Sequence, residues 1–282
     1  MRLPVVVVLC LAGAGLVSGC GQGDADASRA LQSISLVDDD NLTDLMLTTA
    51  EPEEAVTYFR GAVAEAPDRI DLQRGLARSL VRAGRATDAV GLWREIVARS
   101  EAGPEDSVAL ADALIRTNRW DEAREVLHSV PPTHETFDRY RLEAMLADAA
   151  EQWDKADSFY ETAAGMTTRP ASVLNNWGFS KLTRGDASGA ERMFGEALRH
   201  DPHMFAAKNN LAMARGAQRN YTLPLVRMTQ TERAQLLHTL AMTAIKQGDV
   251  ITGRNLLAEA VDTHPQHFEE AARALRALEA QG

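Results

Sequence analysis

Cysteine is almost missing from these 282 residues: Cys10 and Cys20 are the two present, and both fall in the first twenty. The rest of the chain therefore offers Cys20 no disulfide partner. An excess of positive charge is also lacking. Thirty lysines and arginines face forty carboxylates, a net charge of −10 that argues against general nucleic-acid binding, and no helix has the basic, groove-reading character. The apolar run Leu3–Leu16 is too short and too rich in glycine to span a bilayer comfortably. Aromatics are few, and length alone would allow one or two domains.

Catalytic patterns are missing too. His134-Glu135 opens like a zincin helix, but Asp138 stands where the second histidine ligand belongs. His200/His203 and His264/His267 make two HxxH pairs, each beside a proline (Pro202, Pro265) and without a third ligand, so they read as surface turn residues. Gly19, Gly21 and Gly23 follow no strand, which excludes a phosphate loop, and no serine or cysteine nucleophile has a recognisable setting. The chain reads as no enzyme, with no cofactor and no metal. The DDDN run at Asp38 lacks the glycine and the final glutamate of a calcium loop and reads as a solvated helix start.

What is present is periodicity. Asn175–Pro202 reads as two apolar-periodic helices broken at Gly185-Asp186 and ended by Pro202. Gly178, Ala190 and Ala197 are the small residues that let the pair approach, with Phe194 beside them. The second-helix small residue recurs as Ala55, Ala89, Ala123, Ala156 and Ala190, at spacings of 34, 34, 33 and 34. A large residue follows in step: Phe59, Trp93, Leu127, Tyr160, Phe194. Three places on come Ala62, Ile96, Val130, Ala163 and Ala197. The first-helix series is Ala77, Ala111, Ala144, Gly178, Ala212 and Ala241, its last spacing shortened to 29.

Helix–turn–helix units of about 34 residues resemble tetratricopeptide repeats (TPRs). The predicted fold is all-α: a TPR solenoid, a right-handed superhelix of helix–turn–helix repeats, with a C-terminal capping helix. It occupies 38–282 in about seven repeats. The first is degenerate, with a short helix between Asp38 and Ala50 capped by Asp40 or Asn41 and a second helix from Pro52. Repeats two to five run from about Ile70 to Pro202; Leu142, Leu146 and Phe159 join their core, and Trp120 and Trp153 hold equivalent places. The sixth is interrupted near 222–231, because Pro224 falls where its second helix needs a small residue. The last runs from Glu232 to His264, and a capping helix at 267–280 carries Phe268, Ala272, Leu275 and Leu278 on one side.

The N-terminus has a different character. Val17-Ser18-Gly19-Cys20 resembles a bacterial lipobox, which implies a signal peptide at 1–19, lipidation of Cys20, and a flexible polar tether over 20–37. At roughly 0.8 kcal/mol per buried methylene, several acyl chains such as palmitate anchor a protein effectively for good. Gly21 in place of aspartate favours the outer membrane, periplasmic face.

By resemblance to peptide-binding TPR proteins, the groove-facing places hold Arg74, Arg78 and Arg82, then Asp112 and Arg116, then Arg141. Asn175, Asn176 and Phe179 follow, then Asn209, Asn210 and Met213, and last His238 and Met242. The bland alternative is a solvated arginine face. The segments DLMLTTAEPEEAV, GLARSLVRAGR, LNNWGFSKLTRGD and TQTERAQLLHTLAMTAIKQGD, behind a lipobox and tether, resemble the TadD-like TPR lipoproteins of the tight-adherence (Flp) pilus assembly system. That resemblance implies a non-catalytic scaffold or pilotin that supports secretin localisation or stability. Its expected partners are the pilus secretin and other pilus assembly proteins, with no nucleic acid. The alternatives are a TPR scaffold for β-barrel assembly or for peptidoglycan enzymes, and, nominally, a catalytic accessory domain.

Overall fold

The computed structural model describes residues 42, 43 and 45–280. Cys20, the lipobox, the tether and the expected cap at Asp40 or Asn41 lie outside the described residues. Residues 42, 43 and 45–48 are helical, and thirteen further helices follow. They are α1 (Pro52–Glu65), α2 (Ile70–Arg82), α3 (Ala86–Val97), α4 (Pro104–Arg116), α5 (Trp120–Ser129), α6 (Phe137–Ala149) and α7 (Trp153–Gly165). Next come α8 (Ala171–Thr183), α9 (Ala187–His200), α10 (Phe205–Ala217), α11 (Gln230–Lys246), α12 (Val250–Thr263) and α13 (Glu269–Glu279). No strand occurs among the described residues. The chain forms two compact units, one ending at Leu92 and the other beginning at Trp93, a boundary inside α3.

In the first unit α1 packs on α2 around Ala55, Phe59 and Leu72, and Met46 and Leu47 close over them. In the second unit α4 pairs with α5, α6 with α7, α8 with α9, and α11 with α12. First helices of successive repeats also touch, α4 with α6 and α8 with α10. The packing follows the sequence register. Ala55, Ala89, Ala123, Ala156 and Ala190 are all 0% exposed, as are Ala77, Ala111, Ala144, Ala212 and Ala241. Phe59, Trp93, Leu127, Tyr160 and Phe194 are likewise buried. Small residues keep helix axes close, and the large residue four places on fills the space that this leaves.

The turns keep the same phase. Gly84, Asn118, Glu151, Gly185, Arg219 and Gly248 all have a φ between 56° and 89°, at spacings of 34, 33, 34, 34 and 29. This left-handed residue ends each first helix and returns the chain antiparallel. Behind two of the glycines, Asp186 and Asp249 accept from the N–H of Gly189 (2.8 Å) and Thr252 (3.1 Å), capping α9 and α12.

The sixth repeat has no second helix. Between α10 and α11 the chain is irregular from Gln218 to Thr229, starting earlier and ending two residues sooner than the expected 222–231. Leu223 packs into the cores of α11–α13, and Val226 packs against the cluster around Phe194. Two inserted side chains thus replace a helix face. α11 then starts at a capping box, where Thr229 and Glu232 bond each other's backbone N–H at 3.2 and 2.7 Å. α13 closes the stack: Ala271, Phe268, Leu275 and Leu278 lie on Leu237, Ala241, Leu257 and Ala260.

Candidate protein-binding groove

Among the large apolar side chains of the second unit that face water, three stand at one repeat position. Phe179 on α8 is 49% exposed, Met213 on α10 is 36% exposed, and Met242 on α11 is 44% exposed. Their spacings, 34 and 29, are those of the repeat. They form one row, each copy at the same place on its helix. Burying each such side chain against a partner would be worth about 1.5–3 kcal/mol, which makes this row the candidate binding surface.

Carboxamides accompany the row. Asn210 Nδ2 donates to Asn175 Oδ1 at 3.0 Å, and Thr239 donates to Asn209 Oδ1 at 2.6 Å. Next to Phe179 a cavity of about 480 Å³ opens, lined by Trp120, Trp153, Asn175, Asn176 and Asn210 with Asp148 and Ser180. The side chain of Asn176 makes no hydrogen bond among the described residues, so its carboxamide can offer donor and acceptor to a peptide backbone.

Fixed charges hold this face in shape. Asp112 accepts from Arg116 (2.6 Å) and Arg141 (2.8 Å). Burial pushes its carboxyl up, but the two guanidiniums prevail and hold it below the usual carboxylate range. Asp157 collects Trp177 (2.5 Å), Lys181 (3.2 Å) and both oxygens' contacts to Arg184 (2.6 and 2.7 Å), and it too is held low against its own burial. Asp148 differs. Its donors are the hydroxyls of Tyr160 (2.7 Å) and Ser180 (2.6 Å), and desolvation raises its pKa.

In the first unit Arg74, Arg78 and Arg82 lie four residues apart on α2, on one face. Arg82 reaches back to the helical stretch before Pro52, donating to the carbonyls of Met46 (3.1 Å), Leu47 (2.7 Å) and Ala50 (2.8 Å). These are carbonyls a helix end leaves without partners. Arg78 is exposed, and its side chain makes no hydrogen bond or ion pair among the described residues.

The family model of the tetratricopeptide repeat matches residues 47–107 and 74–130. The fold extends the likeness over most of the chain. A Cut9–Hcn1 hetero-tetramer of the APC/C superposes with a TM-score of 0.61 at 12% identity, over 84% of this chain and 48% of that one. The chain thus spans about half the length of that relative. The fold is a TPR solenoid. A thermophilic TPR protein of Thermus thermophilus matches at TM-score 0.54 and 17% identity, over 62% of this chain and 95% of its own. Another from Parabacteroides merdae matches at 0.52 and 12%, over 88% and 96%. No curated protein matches the sequence.

Within the TPR register, the second unit brings Asn175, Asn176, Phe179 and Asn210 to one cavity, and Met213 continues the row. Arg116 and Arg141 meet at Asp112 and are spent on it. His238 packs against Phe268, the residue that precedes α13, ring centroids 5.5 Å apart, and burial lowers its pKa. The lining role of Trp120 and Trp153 had a signal in their equivalent places, which read as core. Asp148 had none: its position next to the cavity comes from contacts 12 and 32 residues away. The HxxH pair at the end of the array splits its partners, His264 bonding Gln266 and His267 bonding Glu269.

Proposed function

We propose that this chain is a non-catalytic TPR scaffold that grips an extended stretch of a partner protein along α8, α10 and α11. The observation that carries the reading is the exposed row Phe179, Met213 and Met242 at one repeat position, with the free carboxamide of Asn176 alongside. Apolar anchors supply contact area, and carboxamides bond a peptide backbone whatever its sequence.

We propose further that the scaffold is a TadD-like lipoprotein of the tight-adherence pilus system. It is anchored through Cys20 at the periplasmic face of the outer membrane and supports the secretin there. The lipobox and the connector segments that resemble this family support this finer reading. Membrane fractionation of wild type and Cys20→Ala, followed by blotting for the secretin, tests it. The expected result is an unprocessed, full-length variant that is no longer bound to the outer membrane, and a loss of outer-membrane secretin. Unchanged processing and partitioning would end the lipoprotein reading, and unchanged secretin would end the pilus reading while leaving the scaffold intact.

A further inference from the structure

The cavity beside Phe179 is lined by a carboxylate and by no cation. Of the side chains lining it, Asp148 is the only carboxylate, and no lysine or arginine lines it. The nearby cations are committed elsewhere: Arg141 to Asp112 at 2.8 Å, and Lys181 and Arg184 to Asp157. Asp148 accepts from two hydroxyls, which satisfies hydrogen bonding but supplies no opposite charge. The side chains of Trp120, Trp153 and Phe179 line the same cavity. Trp153 already carries a guanidinium, with Arg184 5.6 Å from its ring centroid.

We infer that this cavity is a binding site for a cationic side chain, a lysine or arginine presented by the partner polypeptide. The inference rests on the peptide-groove reading above and gives it a chemistry. Aromatic faces attract a cation through their quadrupoles, and Asp148 adds a charge-assisted hydrogen bond in a partly desolvated place. Asn176 at the rim is free to take the flanking backbone. A glutamate in the same position would meet Asp148 at like charge.

The test uses the full chain in detergent micelles and four capped, fluorescently labelled heptapeptides, identical except for a central arginine, lysine, norleucine or glutamate. Arginine and lysine peptides are expected to bind at least about tenfold tighter than the norleucine one, a difference of about 1.4 kcal/mol, with glutamate the weakest. Asp148→Asn keeps an acceptor and a donor for the two hydroxyls, so it tests the charge without dismantling the network. It should erase the preference, and Phe179→Ala, at an exposed position, should weaken all four peptides. Equal binding of all four would overturn the cation site and leave the groove standing. Tighter binding of glutamate, or a preference that survives Asp148→Asn, would overturn it as well. If no peptide binds while the secretin still depends on this protein, both the cation site and this groove are wrong and the partner uses another surface.

Discussion

Gly178 and Phe194 compete for one volume: a Cβ on Gly178 would lie 2.7 Å from Phe194 Cε1 and 2.8 Å from Cδ1. Every other first-helix place in the series holds alanine, including Ala77 and Ala144, whose counterparts in the large-residue series are the rings of Trp93 and Tyr160. It is therefore where the Phe194 ring lies, and not a ring as such, that leaves no room at Gly178. In the third repeat the equivalent pair is Ala111 and Leu127, both buried. Gly178→Ala should therefore cost about 1–3 kcal/mol through overpacking, and Gly178→Leu at least as much. Adding Phe194→Leu to Gly178→Ala should recover part of the loss, which urea melts of the three variants measure. A double variant whose loss equals the sum of the two single losses would show that the ring and the glycine are not coupled.

The repeat register was legible because each of its positions is decided locally, by the size of one residue against one neighbouring helix. Ala156, Tyr160 and Ala163 are buried together where the 34-residue phase puts them. The left-handed turns at Asn118, Glu151 and Arg219 were not legible, since none is glycine and phase alone points to them. The groove was half legible. Phe179 and Met213 follow from register, whereas pairings such as Arg141 with Asp112 or Arg82 with Leu47 join residues 29 and 35 apart and arise only once helices are stacked. A row of arginines in the sequence therefore overstated the free positive charge.

Lys208 is 3% exposed at its side chain and is balanced by Glu232 across 2.8 Å, the latter 19% exposed. The two sides of this pair are unequal. Glu232→Ala strands a buried ammonium and breaks the box capping α11, so it should cost about 3–5 kcal/mol. Lys208→Met leaves a carboxylate that water can reach, and it should cost less than about 1.5 kcal/mol. The hydrogen bond from Lys208 holds Glu232 below its ordinary pKa, so the stability it contributes is present above pH 4.5 and is lost as pH falls through the lowered value. Chemical denaturation at neutral and acid pH reads all three. Equal costs for the two substitutions would contradict the buried-charge account.

Asp148 should weaken the fold at neutral pH. Its pKa is raised by burial above the ordinary 3.8, so the native state holds its proton to higher pH than the unfolded chain does. The sign follows: below pH 3.8 there is no penalty, and stability is lost as pH rises through the folded-state value. Asp148→Asn should melt higher than wild type at pH 7, with the gap closing as pH approaches 3.8. Calorimetric scans across that range make the comparison. A variant less stable than wild type at pH 7 would mean that the hydroxyl bonds from Tyr160 and Ser180 depend on the charge.

Arg78 and Arg82 lie one turn apart on α2, and the structure gives them different work. Arg82 spans three carbonyls with its planar fork, which a lysine ammonium cannot reproduce. Arg82→Ala should loosen the stretch before Pro52, speeding amide exchange at 45–50 about tenfold, the effect of losing about 1–2 kcal/mol, and Arg82→Lys should restore only part of the protection. Arg78 supports no neighbour, so Arg78→Glu should leave that exchange and the helicity unchanged. Like charges at this spacing cost a few tenths of a kcal/mol per pair, which an acidic stretch of a partner would relieve. Capture of proteins from outer-membrane extract should therefore fall with Arg78→Glu, and fall for wild type as salt rises. Equal capture by both proteins at low and high salt would leave Arg78 as a solvated residue, with Arg82 still the clasp of the first unit.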